Sequence, residues 1–236
     1  MTDGTLMALL ASILSVCPVQ GWCSDIFVVD ARGADLTVGQ ILDGTKPLQL
    51  AVGQRVTLVT SDGRTIKLKG PSDTPPVPEG EVNSGEVLDS LKGLMKTREA
   101  DTFSAGIIRQ GNAIVDQPSP WLVEIGHSGD RCLVDGERTV LWRADVPTGT
   151  NILEIAPTDR SWSASAPWPQ WSDKLALPST MKLNNGQTYL LSLDAVQFSV
   201  TVHVIPQSVR SQAAKAAWMI EMGCESQARS LVGALQ

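Results

Sequence analysis

Residues 52–73 read VGQRVTLVTSDGRTIKLKGPSD and contain the clearest structural pattern in the chain. Apolar and polar residues alternate on both sides of Asp62-Gly63, a dipeptide typical of tight β-hairpin turns. The alternation runs from Val56 to the turn and from the turn to Leu68. It predicts a two-stranded ribbon that buries one face in a core and exposes the other to solvent.

Short apolar runs between turn residues continue in both directions from this ribbon. The chain has 236 residues with 20 Gly, 14 Pro and only 5% aromatic residues, a composition that favours many turns between short strands. The predicted fold is therefore mainly β, and the second group of strands has the number and spacing of an immunoglobulin-like β-sandwich. The predicted strands are 26–29, 48–51, 56–59 and 65–68, followed by 121–125, 131–134, 139–142, 152–155, 162–164, 189–193 and 198–204.

Two segments have the period of an α-helix instead. Apolar residues from Val87 to Met95 recur at helical spacing, with Ser84 placed to cap the helix, and predict one amphipathic helix of about four turns. The last 30 residues predict a hairpin of two helices separated by Gly223. Its sequence AAWMIEMGCESQARSLVGAL, residues 216–235, weakly resembles half of a tetratricopeptide-type hairpin.

The 52–73 stretch resembles the small β domain of FecR-like periplasmic proteins. In that family a glycine precedes a β pair, a DG turn and a closing apolar strand. The resemblance implies a periplasmic sensing or protein-contact module. FecR-type regulators place a cytoplasmic segment before a membrane helix, whereas five residues precede Leu6 here, so signalling by that route is not expected. The matching positions are Gly53, Val56, Asp62, Gly63, Leu68 and Pro71.

Five successive regions are predicted along the chain. Residues 71–80, PSDTPPVPEG, are rich in proline and predict a polyproline-like linker between the two β-rich parts. The predicted regions are a signal peptide (1–23), a FecR-like β domain (24–72), a Pro-rich linker with the amphipathic helix (73–118), an immunoglobulin-like sandwich (119–206) and a helical hairpin (207–236).

The N-terminal segment predicts export. Residues 6–16, LMALLASILSV, are apolar or small and are followed by Pro18, as in a secretory signal peptide. The run is too short for a membrane span, which needs about 20 apolar residues. Cleavage after Gly21 or after Cys23 would fit, and the alternative is a buried N-terminal helix. The expected location is periplasmic or extracellular.

The cysteines point to the same compartment. The chain has four, and cleavage after Cys23 would leave only Cys132 and Cys224. We expect these two to form a disulfide, because such bonds persist in oxidising compartments. The alternative is a pair of buried free thiols.

No motif for catalysis, metal binding or nucleotide binding is predicted. The sequence GHSGD, residues 126–130, places His127 beside Ser128, but Asp130 stands where a nucleophile elbow needs glycine. The other histidine, His203, lies in a separate strand, so neither a metal ligand set nor a cofactor is expected. A net charge of −6 argues against nucleic acid as a partner. The chain is therefore not expected to be an enzyme.

The tryptophan-rich segment SWSASAPWPQW, residues 161–171, is the candidate binding feature. Trp162, Trp168 and Trp171 could form an exposed aromatic platform, or they could cap the sandwich core. The expected function is that of an exported, non-catalytic envelope protein that contacts another envelope protein. Two alternatives stay open: a carbohydrate- or peptide-binding module that uses these tryptophans, and a periplasmic hydrolase with an unrecognised site.

Overall fold

A computed structural model describes residues 25–77, 88–96, 115–149, 151–193 and 196–235. The described residues form fourteen strands and three short helices, so the fold is mainly β, as predicted. The helices are α1 (residues 88–96), α2 (Gln212–Glu221) and α3 (Glu225–Ala234). The strands are β1 (Asp25–Arg32), β2 (Ile41–Asp43), β3 (Leu48–Leu50), β4 (Arg55–Thr60), β5 (Thr65–Lys69), β6 (Ser72–Thr74), β7 (Leu122–Glu124), β8 (Gly129–Val134), β9 (Val140–Trp142), β10 (Asn151–Pro157), β11 (Ala164–Trp168), β12 (Lys174–Ala176), β13 (Thr188–Leu193) and β14 (Val196–Ile205).

Each of the eleven predicted strands corresponds to an observed strand, although the prediction 162–164 lies too early for β11. The predicted signal peptide, residues 1–23, lies outside the described residues, as do Ser84 and Val87 of the predicted amphipathic helix. Within the described ranges, no helix has the length and apolar character that crossing a membrane requires.

The N-terminal part contains two antiparallel sheets around one small core. The first has the strand order β2-β1-β4-β5, and the second pairs β3 with β6. Their shared core consists of buried aliphatic side chains. These are Ile26, Val28, Leu50, Val56 and Leu58.

Strand β6 lies in the segment that was predicted as a proline-rich linker. Residues 72–74 pair with β3, and the Val77 amide donates a hydrogen bond to the Gly44 carbonyl oxygen at 3.1 Å. The ladder forms despite the prolines because Pro71 and Pro75 flank it, and every residue within it keeps its N–H. The N-terminal β unit therefore continues into the segment that composition predicted as a linker.

The hairpin of β4 and β5 is less exposed than the alternation of apolar and polar residues predicted. Val56 and Leu58 face the small core, but Val59 on the other face packs into a second cluster with the three helices. Phe27 and Val29 of the neighbouring strand β1 belong to the same helical cluster. The helices therefore cover part of the predicted solvent face of β4, burying Val59 and leaving the start of the strand exposed.

The Asp62-Gly63 turn packs against the start of α2. The Thr60 amide donates to the Arg64 carbonyl oxygen at 2.9 Å, and Gly63 has a φ of +92°. A Cβ at Gly63 would lie 2.8 Å from the Ala213 carbonyl oxygen, so glycine is required here by contact as well as by conformation.

We predict that Gly63→Ala lowers the free energy of unfolding by about 1–3 kcal/mol, because it adds a backbone clash to an unfavourable φ. Gly53→Ala is the matched control, since Gly53 has a φ of +86° but nothing within 4 Å of its Cβ position. Urea titration of both variants should show a larger loss of unfolding free energy for Gly63→Ala than for Gly53→Ala. Equal losses would mean that the turn does not press against α2.

The C-terminal part contains a five-stranded sheet, β11-β10-β13-β14-β8, and a three-stranded sheet, β12-β9-β7. Most pairs are antiparallel, but β14 runs parallel to β8 and β7 runs parallel to β9. Side chains from both sheets share one buried cluster. Its members include Val123, Leu141, Leu153, Ile155, Trp168, Tyr189, Leu191 and Val202.

The C-terminal hairpin is stapled to the edge strand β8. The predicted disulfide between Cys132 and Cys224 is present, with a Cα–Cα distance of 5.8 Å, and both residues are buried. Gly223 ends α2 with a φ of +79°, and its amide donates to the Ile220 carbonyl oxygen at 3.2 Å. This glycine turn directs the chain from α2 into the bridge and then into α3.

Gln227 of α3 completes the attachment. Its side-chain oxygen accepts a hydrogen bond from the Cys132 amide at 2.6 Å, and its side-chain nitrogen donates to the Cys132 carbonyl oxygen at 2.7 Å. The side-chain amide therefore occupies the place of a neighbouring strand along β8. Buried edge groups that would otherwise lack partners are satisfied in this way.

Candidate functional site

The three tryptophans of the predicted platform do not form one surface. Trp168 is 1% exposed and belongs to the core between the two C-terminal sheets. Trp162 precedes β11 and Trp171 follows it, so these two lie at opposite ends of the strand. The core-capping alternative is correct for Trp168, because its position in β11 points inward with Ala164 of the same strand.

Trp171 is the most exposed of the described tryptophans. Its side chain is 71% exposed, and its backbone has a φ of +62°, which is unfavourable for a bulky residue. The Trp171 amide donates to the Pro147 carbonyl oxygen at 3.3 Å, and the Ser172 amide donates to the Pro169 carbonyl oxygen at 3.3 Å. The surrounding turn therefore holds the indole outward.

Side-chain contacts also form the floor of this turn. The Trp168 indole N–H donates to the Ser172 carbonyl oxygen at 2.8 Å, and the Arg143 guanidinium lies 5.8 Å from the centre of the Trp168 ring. Arg143 also pairs with Asp145 and lowers the pKa of that carboxyl group through a side-chain hydrogen bond. Val146 follows directly and is 49% exposed. We call Val146 and Trp171 the Trp171 surface.

We predict that Trp171→Gly is more stable than Trp171→Ala by about 1 kcal/mol, because both remove the indole but only glycine adopts a positive φ without strain. Thermal or urea unfolding of the two variants measures the difference directly. If alanine were the more stable replacement, the positive φ at residue 171 would not exist in solution.

The outer face of the five-stranded sheet carries a second candidate site. Ser165, Glu154, Ser192 and Gln197 lie directly opposite one another on β11, β10, β13 and β14. Together with Arg160 and Trp162 they line an open cavity of about 500 Å³. We call these four side chains the polar row. With strands about 4.8 Å apart, the row is roughly 14 Å long.

The turn before β11 forms one wall of this cavity. Asp159 accepts hydrogen bonds from the Ser161 amide at 3.0 Å and the Ser161 hydroxyl at 2.8 Å, and these two donors lower the pKa of the Asp159 carboxyl group. Arg160 has a φ of +52° within this turn. The Trp162 ring is 37% exposed and lies 6.0 Å from the buried Tyr189 ring, measured between centroids.

The GHSGD segment does not form a serine nucleophile. The His127 Nδ1 atom lies 3.1 Å from Glu124 Oε1, whereas the Ser128 hydroxyl accepts a hydrogen bond from the Ser199 amide at 3.0 Å. The two side chains thus have different partners, as expected for adjacent residues that point in opposite directions. The hydrolase alternative gains no His-activated serine from this segment.

The carboxylates near this segment have structural partners. Glu124 is 2% exposed, and its Oε2 atom accepts from the Arg131 guanidinium at 2.6 Å. The Nε2 atom of His203 lies 2.8 Å from Asp130 Oδ1, on the face that the helical hairpin covers. No group of three or more potential metal ligands occurs in the described ranges of the chain.

No protein-family model matches the sequence, and no curated protein matches it at a significant level of similarity. Function is therefore inferred from the residues and their geometry alone. Sequence reasoning missed Glu154 and the serines of the polar row. The alternation around Glu154 in β10 indicates an outward side chain, but only the pairing register places it beside Ser165 and Ser192.

Proposed function

We propose that the protein is exported to an envelope or extracellular compartment and works there, without catalysis, by contact with another envelope protein. The observation that carries the contact proposal is Trp171, held outward by a hydrogen-bonded turn beside Val146. The Cys132–Cys224 disulfide supports the compartment. Export and protein contact are therefore supported by different residues.

Export is supported by the way in which the disulfide is used. The bridge is buried and joins β8 to the turn between α2 and α3, next to the hydrogen bonds that Gln227 makes to Cys132. It is thus part of the packing between the sheet and the hairpin. Disulfides of this structural kind persist in oxidising compartments and are rare where thiols are kept reduced.

Contact through Trp171 is supported by exposure, rigidity and strain together. Tryptophan is among the residues that dominate binding energy at protein interfaces, especially when the ring is presented without a large loss of freedom. A bulky residue at a positive φ costs stability and persists where the surroundings hold it, which is a property typical of functional positions. Nothing in the core requires this side chain, since it is 71% exposed.

Two architectural resemblances belong to the same proposal. The N-terminal β unit is proposed to be FecR-like, with the β4–β5 hairpin preceded by Gly53 at a φ of +86° and followed by Pro71. The two C-terminal sheets are proposed to form an immunoglobulin-like sandwich, supported by their shared core, although two of their strand pairs are parallel. The helical hairpin is weakly similar to a tetratricopeptide unit. A single unit does not form a solenoid, because stable solenoids need neighbouring repeats.

A photo-crosslinking residue at Val146 tests the contact. In cells that produce the protein naturally, we expect a discrete cross-linked product that disappears when Trp171→Gly is added to the same chain. The control is the same crosslinker at Val52, which is 83% exposed but lies on the N-terminal β unit. Absence of a product at residue 146, or an identical pattern from residue 52, would overturn the proposal.

A further inference from the structure

We propose that the polar row and Trp162 form a binding site for a neutral saccharide chain, on a surface separate from the Trp171 surface. The row comprises Ser165, Glu154, Ser192 and Gln197 on four adjacent strands. The site is independent of the proposed protein contact, since Trp162 and Trp171 lie at opposite ends of β11.

The site exists because the helices cover only part of the outer sheet face. Cys132 of β8 and Ile205 of β14 pack against the helical hairpin, and Asp130 approaches Gly223. The part formed by β10, β11 and the adjacent ends of β13 and β14 is left open and contains the cavity of about 500 Å³. A ligand can therefore lie across four strands without displacing any part of the described fold.

The chemistry of the lining selects the ligand. Serine hydroxyls and the glutamine amide can each donate and accept hydrogen bonds, as the hydroxyl groups of a sugar do. Glu154 and Arg160 are the charged residues of the lining and have opposite signs, so their charges offset each other. The partly exposed Trp162 ring offers an apolar surface on which the C–H face of a sugar ring can stack.

The geometry favours a saccharide over an extended peptide. A peptide that adds to a sheet binds at a strand edge, where unpaired backbone groups are present. The polar row instead lies on the sheet face, where side chains alone are available and recur at the strand spacing of about 4.8 Å. A linear ligand that presents hydroxyl groups at a similar repeat can contact several members of the row.

The wall of the site is held in place before any ligand binds. The two hydrogen bonds from Ser161 to Asp159 stabilise the turn that carries Arg160, and Trp162 packs against Tyr189. The amide of Gln197 donates to the Ser192 hydroxyl at 3.2 Å, which orients two neighbouring members of the row. Such preorganisation lowers the entropic cost of binding.

Calorimetric titration with linear glucose and N-acetylglucosamine oligomers tests the site. We expect saturable binding of at least one series with a dissociation constant below about 1 mM. Glu154→Ala and Trp162→Ala should each weaken it by about tenfold or more, corresponding to loss of one charged hydrogen bond or one stacking contact. Glu137→Ala and Val52→Ala are the matched controls, since both positions are exposed and lie outside the site, and they should leave binding unchanged.

Glu154→Ala keeps the test valid if Trp162→Ala impairs folding, because Glu154 is an exposed side chain on the sheet surface. Three results would overturn the proposal: no saturable binding of any oligomer up to about 10 mM, binding that survives both site variants, or binding that is lost in either control variant. An acidic or basic peptide that competes at Glu154 would also contradict it, since the site would then recognise charge.

Discussion

Arg131→Met is expected to lower the free energy of unfolding by about 3–5 kcal/mol, because it leaves the Glu124 carboxylate buried without its charged partner. Glu124 is 2% exposed, and the guanidinium donates to it at 2.6 Å. Arg131 also donates to the backbone carbonyl oxygens of Glu124 and His127, each at 2.9 Å. The loss therefore includes hydrogen bonds as well as charge pairing.

Arg32→Met is the matched control. Arg32 pairs with Asp30 at 3.1 Å, but the two side chains are 75% and 47% exposed, and surface pairs contribute about 0–1 kcal/mol. Urea unfolding of both variants at fixed pH gives the comparison. A double variant with Glu124→Gln should lose less than the two single losses added together, since no buried carboxylate then lacks the guanidinium. If Arg131→Met resembled Arg32→Met, the buried pair would not exist in solution.

Cys132→Ser is expected to lower the free energy of unfolding by about 2–5 kcal/mol, because the bridge constrains 92 residues of the unfolded chain. The effect should extend beyond α2 and α3. Those helices share a buried cluster with Phe27 and Val59 of the N-terminal sheet, so a loosened hairpin also uncovers that sheet. Hydrogen exchange should accelerate first in the two helices.

The paired variants provide the control for this prediction. Cys224→Ser and the double serine variant should match Cys132→Ser, since each removes the same single bond. The reduced natural protein should behave similarly. Losses that add in the double variant would show that the two residues contribute separately, and that the docking of the hairpin does not depend on their bond.

Much of the fold was predictable because its signals are local. The strands around Asp62-Gly63 and the helices on either side of Gly223 follow from alternation, helical period and turn chemistry within a few residues. The pairing of Cys132 with Cys224 followed from the expected oxidising compartment and from the number of cysteines left after signal-peptide cleavage. Each of these inferences needs only a neighbouring stretch of sequence or the residue inventory.

The missed elements depend on contacts distant in sequence. Strands β2, β6 and β12 were missed although β3, β7 and β9 have the same length of three residues, because the missed strands read ILD, SDT and KLA and do not lie in apolar runs. The covered face of β4 was also missed, since its partner α2 lies about 150 residues further along the chain. Local alternation indicates which residues share a face, but not what covers it.

The candidate sites were only partly predictable for the same reason. The tryptophan segment was found by composition, yet its three tryptophans have different roles. Trp168 lies within β11 and faces the core, whereas Trp162 precedes the strand and Trp171 follows it. Glu124, inside the predicted apolar strand 121–125, was a visible signal for a buried pair. Its partner Arg131 could be identified only from the structure, because β7 and β8 lie in different sheets.

Intact-mass measurement of the protein from the cells that naturally produce it is the most direct test of export and of the Cys132–Cys224 disulfide. Thiol alkylation before and after reduction should accompany it. We expect a mature chain beginning between Trp22 and Asp25, with Cys132 and Cys224 alkylated only after reduction. A full-length species whose Cys132 and Cys224 react without reduction would contradict both the compartment and the staple.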